Sequence, residues 1–197
     1  MRKIVVFVWL VVQSLVLSAQ QQPFAQRLAD AALTLTQQRV VYDATYFSIP
    51  YPNGDVPVDR GVCTDVVIRA YRKLGIDLQR DVHEDMVANF SRYPHNWGLK
   101  RTDKNIDHRR VPNLMIFFER HGTSLRITKV ATDYLPGDIV TWDLGGGLTH
   151  IGVVVNRPST EDATRHMIVH NIGGGQVLED CLFRFTITGH YRYTGRG

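Results

Sequence analysis

Apolar residues repeat with two different periods along this chain, and the change of period divides it into halves. From Phe24 to about Val41, Leu28, Ala31, Ala32, Leu35 and Val40 recur at helical spacing. A second helical stripe starts at Cys63 and continues through Val67, Ala70 and Leu74, with Arg69, Arg72 and Lys73 off that face and Gly75 placed as a C-cap. Asp81 to about Phe90 reads as a shorter helix. Pro112 suits the first position of another, which runs to about Arg120 with Leu114, Ile116, Phe117 and Phe118 apolar and ends at Gly122.

Beyond Gly122 the pattern becomes that of strands. Leu125–Val130 alternates, Pro136-Gly137 turns into a run over 138–142, and Leu148–Val155 and Met167–His170 are rich in β-branched residues. Val177–Leu178 and Phe183–Ile187 follow. Helices gathered before short, closely spaced strands predict an α+β domain, its helices packed on a C-terminal antiparallel sheet. The glycine triplets 145–147 and 173–175 precede neither Lys-Ser/Thr nor a helix, so they read as turns between strands.

Two stretches fall outside these periods. Residues 42–57 hold Tyr42, Tyr46, Pro50, Tyr51, Pro52, Gly54 and Pro57, a turn-rich loop suited either to walling a cleft or to covering the core. The segment 93–111 is polar, and between 100 and 110 five basic residues face only Asp103 and Asp107. It reads as a solvated loop or as a rim that attracts an anionic substrate.

The first 19 residues have a composition of their own. Arg2 and Lys3 precede an apolar run from Ile4 to Val12, Gln13 and Ser14 interrupt it, and Ser18-Ala19 leads into three glutamines. This is the pattern of a secretory signal peptide cut near Ala19, and the run is too short for a membrane span. A single domain over 20–197 follows, in the periplasm or outside a bacterial cell, without a stable membrane anchor and as a monomer. Cleavage takes away Arg2 and Lys3 and no acid, leaving 21 basic against 19 acidic residues, a net of +2. No run of basic residues interleaved with aromatics accompanies that mild charge, so no nucleic-acid partner is expected.

The candidate chemistry begins at Cys63. A Gly-containing turn delivers it to the first turn of a helix, where unpaired N–H groups and the helix dipole favour a thiolate. With Cys181 it could instead form the one disulfide that an exported chain with two cysteines allows. His150 begins one β run and His170 ends another. Paired antiparallel, the two strands bring both rings to one end of the sheet, and Gly152 leaves room for close approach. A cysteine nucleophile needs such a base and a third group to orient it; His170 or the adjacent Asn171 supplies the latter. Cys63, His150 and His170 are also possible zinc ligands, but no His-Glu-x-x-His or Cys-x-x-Cys motif is present, so neither metal nor cofactor is expected.

These motifs carry a family resemblance. Gly61-Val62-Cys63-Thr64-Asp65-Val66-Val67-Ile68-Arg69-Ala70-Tyr71 resembles the nucleophile helix of NlpC-type cell-wall cysteine peptidases. Pro136-Gly137-Asp138-Ile139, Thr149-His150-Ile151-Gly152-Val153 and Met167-Ile168-Val169-His170-Asn171 are similar to its later strands. Tyr51 resembles the family's active-site tyrosine. More narrowly, the segment 61–71 is similar to an exported bacterial family catalogued by its unknown function, a relative of the papain-like group. The resemblance implies a papain-like fold with Cys63, His150 and His170 as catalytic residues. Its implied partner is peptidoglycan or its peptide fragments, cut at an amide next to a D-amino acid. Val62 and Thr64-Asp65 depart from the usual Asp-Cys-Ser-Gly, and Asp65 is thereby a candidate for contacting or repelling substrate. A non-catalytic wall-binding module, or an amidase or acyltransferase using the same thiol, are the alternatives.

Overall fold

The computed structural model describes residues 22–196, so the expected signal peptide at 1–19 lies outside the described residues. Four α-helices precede most of a six-stranded antiparallel sheet among them, as the change of period predicts. The helices are α1 (Phe24–Leu35), α2 (Cys63–Lys73), α3 (Leu78–Ala88) and α4 (Val111–His121). Strands β1 (Val41–Tyr42) and β2 (Arg60–Gly61) form a short parallel pair beside the start of α2. The main sheet comprises β3 (Thr123–Ser124), β4 (Ile139–Asp143), β5 (Thr149–Pro158), β6 (His166–His170), β7 (Val177–Glu179) and β8 (Thr186–Arg192). Its spatial order is β3-β8-β4-β5-β6-β7. No described helix is long and apolar enough to cross a membrane.

The period-two alternation sorts the strand side chains between two cores. Ile139, Ile151, Val153, Val155 and Val169 pack with Leu28, Ala32, Val67 and Ala70 of α1 and α2. Val140, Trp142, Val154 and Ile168 face the other way, onto Tyr134, Cys181 and Leu182. Burying each large apolar side chain contributes about 1.5–3 kcal/mol. The Pro-Gly-Asp segment fastens these layers together. Gly137, at φ +91°, lies where an added Cβ would stand 2.3 Å from the Ala25 carbonyl oxygen, so the turn packs directly on α1. Asp138 is buried and accepts from His190 Nε2 (2.7 Å) and Arg192 Nη2 (3.1 Å), tying β4 to β8.

Several elements differ from the periodic reading. Helix α1 stops at Leu35 rather than near Val41, because Val41 is drawn into pairing with Arg60. Helix α3 starts at Leu78, three residues early, where the Asp77 carboxylate accepts from the N–H groups of Gln79 (3.0 Å) and Arg80 (3.3 Å). The alternating stretch 125–130 is not a strand. After the Leu125 N–H donates to the His190 carbonyl (2.8 Å), the chain leaves the sheet, and Ile127 and Val130 are exposed. The last strand begins at Thr186, since a turn closed by Arg184 N–H on the Cys181 carbonyl (3.0 Å) occupies the expected start.

Helix α2 departs most from an amphipathic pattern. Residues Cys63 to Tyr71 are all buried, including Thr64, Asp65 and Arg69. The sequence places Arg69 off the packed face; it is instead buried, donating to Asp55 (Nε to Oδ2, 3.1 Å) and to the Arg60 carbonyl (Nη2, 2.9 Å). Those bonds fold the 55–60 loop over the helix, and that loop leads into the turn before Cys63. Gly75 ends the helix region in the left-handed conformation (φ +81°).

Candidate active site

The backbone before Cys63 is held from three sides. Tyr42 pairs with Gly61 across the β1–β2 bridge. Asn171 Nδ2 donates to the Gly61 carbonyl at 3.2 Å, and the Val62 N–H donates to Asp65 Oδ2 at 2.7 Å. Cys63 is therefore the first residue of α2 by construction, with Thr149 of β5 across a cavity of about 180 Å³ that opens beside its thiol. Tyr42, Val62, Arg109, Arg110 and Val111 also line that cavity. A larger hollow of about 610 Å³, around Ile127, Phe183 and Phe185, includes neither cysteine nor histidine in its wall.

The sheet brings the two histidines together as the β5–β6 pairing predicts. Val153 stands opposite Val169 and Val154 opposite Ile168, so His170 falls across from Gly152 on the face that carries His150. The rings bond directly, His150 Nε2 to His170 Nδ1, at 2.8 Å. Gly152 is what permits this packing: a Cβ there would lie 2.7 Å from Ile168 Cγ2 and 3.2 Å from His170 Cβ. His170 Nε2 then faces Glu179 Oε2 at 2.9 Å, and Arg184 donates to the other Glu179 oxygen.

This chain of partners fixes the tautomers. The ionised Glu179 only accepts, so His170 carries its proton on Nε2 and offers the Nδ1 lone pair. His150 must then donate from Nε2, which leaves its Nδ1 as an unprotonated acceptor. Among the described residues His150 Nδ1 has no hydrogen-bond partner, and it is not among the atoms sealed from solvent. That atom is free to take up a proton, and His170 and Glu179 hold the ring in this orientation. Glu179→Ala is expected to lower turnover about tenfold by freeing the His170 tautomer. Glu179→Gln is expected to restore it, since its Oε1 accepts the same bond; equal turnover in wild type and Glu179→Ala would remove the residue from the site.

Cys63 meets this chain through its neighbours. The N–H groups of Ile151, Thr64 and Cys63 itself pull the thiol pKa down, as a helix start should. Burial outweighs them and pushes the thiol up to about 12, reversing the expectation of a standing thiolate. Among the described residues no hydrogen bond joins Cys63 Sγ to His150. At neutral pH the thiol is protonated and the His150 imidazole is neutral. Both cysteines are free thiols, so the disulfide alternative is not the form described. Cys181 instead sits 3.7 Å from His170 Nε2. His170, Glu179 and Cys181 have ligand atoms within 4.8 Å of one another, a spacing suited to a metal ion, although Arg184 already neutralises Glu179 there.

Three further expectations are corrected or sharpened. Tyr51 stands away from the thiol, edge-on to His83 with ring centroids 5.3 Å apart; Tyr42 is the tyrosine in the Cys63 cavity. Asp65 does not face a substrate. Its carboxylate is 3% exposed and occupied by Arg109 through Nε (3.0 Å) and Nη2 (3.0 Å), as well as by Val62. Between the two candidates for the orienting group, His170 holds the ring of His150, whereas Asn171 holds the Gly61 turn. Glu179 escapes the sequence reading, and Arg109 enters it only as part of the basic rim, because each reaches the site from a segment without a motif.

Burial gives the histidines a consequence for stability. It drives His150 down to about 3, with His170 adding to the effect, and His108 down to about 3, with Arg109 adding there. His170 is lowered as well, against the pull of Glu179. Unfolded, each ring takes up a proton around pH 6.5, so below that value the unfolded chain binds protons the folded one refuses. For His150 and His108 the contribution is complete above pH 6.5 and is lost as pH falls toward 3, at up to about 1.4 kcal/mol per pH unit for each of the two rings. Urea unfolding near pH 7, 5.5 and 4 should show falling stability and a flatter fall in His108→Gln. A midpoint independent of pH over that range contradicts this.

Known proteins share this chain's sequence over most of its length. It is 51% identical over 166 residues, 84% of this chain and 80% of the other, to "Uncharacterized protein YijF" of Escherichia coli (strain K12). Among solved structures, that of NlpC2 from Trichomonas vaginalis aligns over 88% of this chain at 18% identity and a TM-score of 0.45. That alignment spans 48% of the Trichomonas chain, about half its length. Residues 29–193, nearly the whole described chain, match one family throughout, and the chain belongs to it: the family described as "Domain of unknown function (DUF1287)".

Proposed function

We propose that this chain is a thiol hydrolase that cleaves an amide bond in the peptide part of bacterial peptidoglycan, outside the cytoplasm. The observation that carries the reading is the Cys63 thiol at the mouth of a cavity walled also by Thr149, the residue before His150, together with a His150–His170–Glu179 chain whose tautomers leave His150 Nδ1 free to accept a proton. The resemblance of the Cys63, His150 and His170 segments to wall peptidases supplies the substrate class.

The reaction follows from those groups. His150 Nδ1 takes the thiol proton as sulfur attacks the carbonyl carbon. In this reading the backbone N–H of Cys63, at the start of α2, receives part of the charge of the developing oxyanion. His150 returns the proton to the departing amine, leaving an acyl group on Cys63. Water, activated by the same ring, releases it as a carboxylate. An amidase or acyltransferase would share the first half of this course and differ only in the acceptor. Incubating the protein with purified peptidoglycan and identifying the soluble products by mass spectrometry tests the reading. New amine and carboxylate ends within stem peptides are expected. Intact stems after prolonged incubation, with the protein still bound to the wall, favour a binding module instead.

A further inference from the structure

Arg110 is the one residue in the wall of the Cys63 cavity whose charge is not answered. Its neighbour Arg109 is neutralised by Asp65, and no acidic side chain lines the cavity. Among the described residues Arg110 makes no salt bridge, and its Nη1 is buried without a hydrogen-bond partner. Its recorded side-chain contact is a stack on the Trp97 ring, with the guanidinium carbon 4.9 Å from the ring centroid.

The backbone adds to this charge rather than offsetting it. Arg110 is the N-cap of α4 and Val62 the N-cap of α2, and both helix starts open on the same cavity. A cation at a helix N-terminus is placed against the dipole, while an anion there is favoured by it. Trp97 is held in the left-handed region (φ 56°), which bulky side chains avoid, and stays 66% exposed over the guanidinium. A stacked guanidinium keeps its edge donors free, and that fork matches a carboxylate bidentately.

We propose that Arg110, backed by Trp97, forms a subsite for a carboxylate carried by the peptide that lies over Cys63, so the substrate is an acidic peptide. The proposal rests on the thiol-hydrolase reading for its substrate, though the subsite itself needs only binding. One anion on the remaining guanidinium donors would answer the unmatched cation and the start of α4 together. The basic rim between Lys100 and Arg110 steers such a peptide toward the cavity.

Calorimetry on the Cys63→Ala protein separates binding from turnover. The probes are a stem peptide released from purified peptidoglycan and the same peptide with its carboxylates converted to carboxamides. The acidic form should bind at least about tenfold more tightly. Arg110→Gln and Trp97→Ala, made in the Cys63→Ala background, should bring the two affinities together, and Arg110→Lys should recover little of the difference. Equal affinity for both peptides, no measurable binding of either, or full discrimination by a folded Arg110→Gln protein overturns the subsite. Discrimination in a protein that releases nothing from the wall upholds the subsite and defeats the hydrolase reading. Turnover of both peptides with equal affinity does the reverse.

Discussion

Cys63→Ala will abolish the release of peptide fragments, with kcat/KM falling by about 10³-fold or more. The loss follows from the thiol being the strongest nucleophile in the cavity wall: Tyr42 and Thr149 offer only hydroxyls there, and Cys181 lies on the far side of His170. The fold should survive the change. The side chain removed is small and already touches the cavity, so little new void is created. Cys63→Ser is a stricter test. His150 would face a hydroxyl in the same place, and because the site is built for a buried neutral thiol, serine should retain only a trace of activity. Release within tenfold of wild type by Cys63→Ala would reassign the reaction.

Asp65→Asn will cost about 3–5 kcal/mol of stability, a large share of what holds a domain of this kind together. Asparagine keeps an oxygen for the Val62 N–H but leaves the buried Arg109 guanidinium without its counter-charge. Removing one partner strands an ion away from water, whereas replacing both by apolar residues avoids that penalty. Asp65→Leu combined with Arg109→Met should therefore be more stable than Asp65→Asn, although it loses the cap on Val62. Urea unfolding of the three proteins measures this directly. A loss below about 1 kcal/mol in Asp65→Asn would mean that water reaches the pair. Activity should fall with stability, because the same carboxylate holds the turn that aims Cys63.

The parts of the site legible in the sequence are those set by local periodicity. Alternation through His150–Val155 and Met167–His170 was enough to pair two strands and bring both rings to one end of the sheet; the register, which sets His170 across from Gly152, puts them on one face. The turn and helix start likewise announce Cys63. What the sequence hides is set by the path of loops and by burial of charge. Arg69 reads as lying off the packed face, Arg109 as part of a basic loop or rim and Asp65 as a candidate substrate contact, yet all three are buried in pairs whose partners lie elsewhere in the sequence. Tyr51 has the right spacing from Cys63, yet the loop carries it to His83 and the β1–β2 bridge supplies Tyr42 instead. The stretch 125–130 alternates like a strand but has no partner beyond Leu125. The helix start does lower the thiol pKa; its burial, which no local pattern encodes, raises it further.

The central claim is that the Cys63 thiol is the reacting group, and substoichiometric alkylation tests it most directly. Wild-type protein is treated with iodoacetamide near neutral pH, the label is located by peptide mapping, and fragment release from peptidoglycan is measured on the same samples. Label is expected on Cys63 ahead of Cys181, which is 2% exposed, with activity falling in proportion to the Cys63 label. Full alkylation of Cys63 with undiminished release would contradict it.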